Sequence, residues 1–308
     1  MTVKNKDPVS ILIKSYYENN DFSDQTSSHW RKYGNFQKIK KIDGALILRG
    51  IGFGNNEVSR NIFLRIIYFL KNIPLQISLW KLIKNCRKNI IYNMNYVAKK
   101  SSRLFDYDCA RNILTVNLLN EKLPFLDEKT FCIIGDGYGS LGCLLKKNFP
   151  KSKIIYINLG RTLLFDLHYS KKVFPELDHY LIRSNNQPFS KDFNYVEAEL
   201  HNNINIKSDI FINNHSMQEM DYEVIKSYFF MIRNQAKDTW FYCCNRISKE
   251  LPDGKVINFF KYPWSKEDHL IVNGLCPWAQ RFPINMPPFY RDLEGPHQHR
   301  LIKVALEK

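Results

Sequence analysis

Apolar residues in the first part of the chain recur at helical spacing. Ile62, Phe63, Ile66, Ile67, Phe69 and Leu70 are followed by Leu75, Ile77, Leu79, Trp80, Leu82 and Ile83, with Arg65, Lys71, Lys81 and Lys84 between them. This pattern predicts two amphipathic helices that break near Pro74, because proline cannot continue a helical hydrogen-bond ladder. Residues 1–125 read as a mainly helical region. Turn signals interrupt it at Asp43-Gly44 and at Gly50-Ile-Gly-Phe-Gly54. The latter glycines are not read as a phosphate loop, since Asn55-Asn56 forms a turn where a helix would have to open.

From residue 126 onward short apolar runs alternate with helical segments. Thr130–Ile134, Lys153–Ile157, His179–Ile182, Asp209–Ile212 and Thr239–Cys244 are expected strands. Leu141–Lys147, Thr162–Phe174 and roughly Tyr222–Ala236 are expected helices between them. Strands separated by helices of this length predict an α/β fold, a Rossmann-like mostly parallel sheet with helices on both faces. Residues 252–298 are rich in proline and aromatic side chains and are expected to form a loop-rich flap. Leu301–Leu306 closes the sheet as an edge strand.

Composition narrows the class. The chain has 308 residues, 44% hydrophobic and 24% charged, which excludes a disordered or linker-dominated protein. No apolar run reaches the length of a membrane span, and no basic segment followed by an apolar stretch opens the chain. Seven cysteines form no C-x-x-C pair, so reduced thiols and a cytoplasmic location are expected. The net charge is +15, and its distribution is uneven. Between Trp30 and Arg103, sixteen Lys and Arg face only Asp43 and Glu57, a local excess of +14. Such a stripe suits solvated helix faces, an anionic substrate or peripheral contact with a membrane surface. No nucleic-acid module accompanies it, so no nucleic-acid partner is expected. Oligomeric state is not encoded legibly.

The strongest local motif is Ile134-Gly135-Asp-Gly137-Tyr-Gly139-Ser-Leu-Gly142, which follows an expected strand and opens an expected helix. Glycines there permit a sharp turn and close approach of backbone to a ligand at a helix N-terminus. Two cofactors suit it. A dinucleotide would use Gly137-x-Gly139-x-x-Gly142, with Asn158 and Arg161 placed for a 2′-phosphate, the signature of an NADP-dependent oxidoreductase. S-adenosylmethionine (SAM) would use Gly135-x-Gly137-x-Gly139. The loop alone does not separate them.

Two further stretches carry a resemblance: Asp209-Ile-Phe-Ile-Asn-Asn-His-Ser-Met-Gln-Glu-Met220 and Arg291-Asp-Leu-Glu-Gly-Pro-His-Gln-His-Arg300. With the glycine loop, and in this order, they resemble the class I SAM-dependent methyltransferases, and among them the sugar O-methyltransferases of bacterial polysaccharide gene clusters. The resemblance spans roughly residues 125–308. It implies SAM as cofactor, a sugar or glycan precursor as acceptor, and cofactor contacts from Gly135, Asp136, Gly137, Tyr138, Gly139, Asn158 and Asn214. The sequence departs from that pattern twice. Ile133 stands where an acid usually precedes the loop, and Asn158 stands where a carboxylate usually ends the second strand. These losses, beside the basic stripe, leave a non-catalytic adaptor of the same fold as a third reading.

Methyl transfer to a hydroxyl requires proton removal, and the base belongs at the carboxyl ends of parallel strands. His215 follows the Asp209–Ile212 strand. Glu219, four residues on, would share a helical face with it and either orient the imidazole or serve as the base in its place. The competing reading has Asn214 and Ser216 capping a helix while His215 packs. Arg246 is assigned to contact with an anionic acceptor, and His297, His299 and Arg300 to a substrate hydroxyl or phosphate, with a structural turn as the competing reading of that motif. No metal is expected, since Asn213, Asn214 and Asn245 occupy positions where aspartates would serve. Trp264, Trp278 and Tyr290 either stack on a sugar ring or form the flap's own core.

Overall fold

The computed structural model describes residues 8–18, 27–33, 38–42, 45–49, 61–235 and 238–305. The Gly50–Gly54 run and Asp43-Gly44 lie outside them. The N-terminal part comprises α1 (Pro8–Glu18), α2 (Ser28–Tyr33), the hairpin β1 (Lys38–Ile42) and β2 (Ala45–Arg49), α3 (Ile62–Lys71), α4 (Ile73–Ile83), α5 (Lys88–Lys100) and α6 (Tyr107–Lys122). Pro74 sits in the first turn of α4, where its missing N–H costs nothing, so the break falls at Asn72.

The remainder runs β3 (Thr130–Ile134), α7 (Ser140–Asn148), β4 (Lys153–Asn158), α8 (Gly160–Val173), β5 (His179–Ile182), β6 (Phe193–Glu197), β7 (Ile210–Asn214), α9 (Tyr222–Arg233), β8 (Trp240–Arg246), β9 (Ser248–Glu250), β10 (Val256–Asn258), β11 (His269–Leu275), β12 (Arg281–Pro283), β13 (Tyr290–Asp292) and β14 (His297–Lys303). Eight strands form one sheet in the order β11-β14-β8-β7-β3-β4-β6-β5. β14 pairs antiparallel with both β8 and β11, and every other pairing in the sheet is parallel. The fold is α/β, a mostly parallel Rossmann-like sheet.

Three elements differ from the sequence reading. β6 intervenes between β4 and β5, because Phe193, Tyr195 and Val196 are buried although Asn194 and Glu197 break the apolar pattern. The expected flap supplies a full sheet strand, β11, whose half-exposed residues pair along one side of β14. β14 is consequently an interior strand, not an edge, and it begins at His297 rather than Leu301.

Strand alternation sends side chains to two faces. One cluster joins Phe131, Ile133, Ile154 and Tyr156 to Leu79, Met94, Val97, Ile113 and Val116 from α4, α5 and α6, and to Leu144 and Leu164. The other joins Cys132, Ile134, Ile155 and Phe211 to Ile225, Phe229 and Ile232 of α9 and to Phe259 and Tyr262. Trp264 completes this second cluster by packing edge-on to Phe229. All seven cysteines are buried and free.

Candidate active site

The parallel strands end on one side of the sheet, and a cavity of about 310 Å³ opens there. Its floor is the glycine loop. Gly135, Gly137 and Gly139 have φ of 78°, 89° and 64°, a region that residues with a Cβ rarely occupy. At Gly135 a Cβ would also lie 2.4 Å from Ser216 Oγ, so the loop after β7 sits directly against it. Gly142 serves packing: a Cβ there would lie 2.2 Å from the Tyr156 hydroxyl.

Two carboxyl groups support this loop from opposite sides. Asp136 accepts hydrogen bonds from Leu141 N (3.3 Å) and Gly142 N (2.9 Å) at the start of α7. Burial pushes its carboxyl up to about 6, against the opposing pull of those bonds and of Arg103. Asp166, fully buried on α8, accepts from Gly139 N at 2.8 Å and from the Asn158 amide at 2.8 Å. Burial, and then the neighbouring Asp136, raises its carboxyl well above the ordinary range. Asn158 lines the cavity, but its amide is committed to Asp166 while its Oδ1 accepts from Leu159 N at 3.0 Å. The strand-end acid missing from the sequence thus has a counterpart behind the amide, on the next helix. Tyr138 lines the cavity beneath the Arg103 guanidinium, which stacks 3.7 Å from its ring centre.

The opposite half of the cavity is built by β7, β8 and β14. Asn213 donates to Ile134 O (2.9 Å) while its Oδ1 accepts from Met217 N (3.1 Å) and from the Asn245 amide (2.8 Å). Asn245 Oδ1 in turn accepts from Gln218 N at 3.0 Å. A carboxylate could accept but not donate, so amides at these strand ends are what hold the Ser216–Met220 turn. That turn is a 3₁₀ turn over Met217–Glu219, not the α-helix that would bring Glu219 over His215. Glu219 lines the cavity but pairs with Lys249 (3.0 Å) and His29 (3.4 Å). The expected orienting contact to His215 is absent. Ser216 caps no helix with its side chain and donates to Ile134 O.

His215 itself has φ of 68°, a strained conformation for a residue with a Cβ, which turns its ring toward the cavity wall. Its Nε2 lies 3.9 Å from Cys244 Sγ, and its ring lies 4.7 Å, centre to centre, from that of His297. Burial, then Arg111, His297 and Arg246, holds the imidazole well below its ordinary pKa. His297 is held down to about 3 by burial and the same two arginines. Both rings are therefore neutral near pH 7, the form that can take a proton.

Of the residues assigned to substrate, Arg246 and His297 line the cavity. His299 and Arg300 do not. The β14 register buries His299 beside Tyr242 and Trp278, and Arg300 stacks on Trp264 at 4.4 Å and bonds Asn273. Asn214, assigned to the cofactor, lines the cavity and donates to Thr115 Oγ1 at 3.1 Å. Gly139 supports the loop without lining the cavity, which Gly135, Asp136, Gly137 and Tyr138 do line. Sequence reasoning missed the wall contributed from before the sheet: Ser27 and Trp30, then Arg103, Asp108, Arg111 and Asn112 around the start of α6. One signal was available, an arginine on the apolar stripe formed by Tyr107, Leu114 and Leu118. Among the described residues no cluster of three His, Cys, Asp or Glu suits a metal ion, and no helix is long and apolar enough to cross a membrane.

A scan against family models finds no match, and a search of curated proteins finds none. Solved structures do match at low identity. The pyocyanin biosynthetic protein PhzM is 8% identical over 63% of this chain and 58% of its own, with a TM-score of 0.38. This chain thus spans less than two thirds of that structure. Coclaurine N-methyltransferase, bound to N-methylheliamine and SAH, is 9% identical over 78% of this chain and 94% of its own, with a TM-score of 0.42. Human N-acetylserotonin methyltransferase, in complex with SAM, is 9% identical over 87% and 79%, with a TM-score of 0.36.

Proposed function

We propose that this protein is a SAM-dependent O-methyltransferase whose acceptor is a sugar or glycan-precursor hydroxyl. The observation that carries the reading is the opening of the glycine loop and of a neutral, buried imidazole pair onto one cavity. The residues present fit the cofactor. Two left-handed glycines, Gly135 and Gly137, bring bare backbone to the floor, while Ile133, Ile157, Leu159 and Ala198 supply an apolar wall. Asp136, in the glycine loop, supplies a carboxyl group next to a site for a sulfonium. Bound there, SAM provides a methyl group activated by its positive sulfur. The chain's own part is to hold the acceptor hydroxyl against His215, whose neutral ring takes the proton as the oxygen–carbon bond forms. The likeness of Asp209–Met220 and Arg291–Arg300 to sugar O-methyltransferases supports a sugar acceptor.

Calorimetric titration with SAH, the demethylated product, tests the cofactor assignment. Binding with Kd below about 1 mM is expected, with no heat from NADPH. Binding of NADPH alone would replace this reading with an oxidoreductase.

A further inference from the structure

Four polar atoms in the cavity wall have no hydrogen-bond partner among the described residues: Arg111 Nε, Arg246 Nε, His297 Nδ1 and Asn214 Oδ1. All are buried, and His297 is only 2% exposed. Native proteins seldom leave such atoms unpaired, so their concentration in one wall marks where a ligand completes the bonding. The set also has a definite chemistry. Arg111 comes from α6 and Arg246 from the end of β8, directly beside His297 in the β14 register. Each guanidinium already has one carboxylate partner. Asp108 pairs with Arg111, and the 87% exposed Glu294 lies 3.0 Å from Arg246 Nη1. The buried Nε–H groups are left free of those pairs. Asn214 Oδ1, an acceptor, can engage only a donor such as a hydroxyl.

We infer that this half of the cavity binds an acceptor carrying an oxyanion, a carboxylate or a phosphate, between Arg111 and Arg246, with a hydroxyl of the same molecule on Asn214. This deepens the proposed function by naming the acceptor class as acidic sugars, and it rests on reading the cavity as the acceptor pocket. Two guanidinium Nε–H donors and an imidazole N–H suit a charged oxygen cluster, which accepts from all three more strongly than a neutral hydroxyl does. The pocket lies at the carboxyl ends of β7 and β8, on the far side of β3 from the strand β4 that carries Asn158.

The test is calorimetry on the full chain without cofactor, using D-glucuronate, D-glucose 6-phosphate and D-glucose. One charged sugar is expected to bind at least about tenfold more tightly than glucose. The carboxylate and phosphate arms identify which oxyanion is taken. Arg246→Gln should abolish most of that preference and Arg246→Lys should restore part of it. Arg111→Gln provides the same readout should Arg246→Gln fail to melt cooperatively. Equal binding of glucose, no heat from any sugar at millimolar concentration, or preference retained in both glutamine variants would overturn the proposal. Because these arms omit the cofactor, failure of SAH to bind would count against methyl transfer and not against the oxyanion site.

Discussion

At single positions the site rests on backbone that tolerates no side chain. Gly135 combines a left-handed φ with a neighbour, Ser216, that a Cβ would strike. Gly135→Ala is expected to cost about 1–3 kcal/mol in urea unfolding and to weaken SAH binding. Adding Ser216→Gly removes the collision but not the φ penalty, so only part of the loss should return. His215 makes the chemical claim. His215→Ala should lower kcat by about 10²–10⁴-fold while SAH affinity stays near that of the parent, and retained turnover would eliminate it as the base. The glycines and His215 were legible in sequence because they are adjacent to strand ends. Asp166 was not, since it sits mid-helix and acquires its role only when packing delivers it to a loop remote in the chain, and Arg111 offered only its place on an apolar stripe. Glu219 was misplaced for a local reason: the side chains of Asn213 and Asn245 accept from Met217 N and Gln218 N and hold its segment as a 3₁₀ turn.

Among the elements, α4 contrasts two neighbouring side chains. Leu79 is 1% exposed against α6, while Trp80 is 59% exposed. Leu79→Ala should destabilise by about 2–5 kcal/mol through lost burial and a cavity. Trp80→Ala should stay within about 0.5 kcal/mol, despite the larger residue. Equal effects in denaturant melts would mean that α4 packs by another face. Periodicity identified α3, α4 and the strands β3, β4, β7 and β8, whose apolar patterns are unbroken. It missed β6 and β11 because a polar residue in a strand is readable only once its neighbour strand is known. Asn194 is buried, yet its amide finds Ile154 O and Lys191 O.

Across the whole molecule, a single apolar cluster runs from α4, α5 and α6 through α7 and α8 to the sheet. Stability and site chemistry are coupled through its buried histidines. His297 is held to about 3 in the fold, against 6.5 in the open chain. The unfolded state therefore binds more protons between these values, and stability present above pH 6.5 is lost as pH falls toward 3. Each unit crossed costs at most about 1.4 kcal/mol for this group, and His215 acts in the same direction. His297→Asn should flatten the decline of the urea midpoint between about pH 7 and pH 4.5 relative to the parent. An unchanged slope would assign the acid sensitivity to other groups.

The reversed direction of β14 has a consequence for how this architecture can vary. Since it runs against β8, its first residue, rather than its last, lines the cavity, opposite Arg246 in the ladder. A slip of one position would exchange His297 for Gln298 and turn the imidazole to the other side of the sheet. The burial of Leu301 and Ile302 in opposite clusters therefore fixes the register, and the same packing that anchors the strand keeps the imidazole beside the guanidinium.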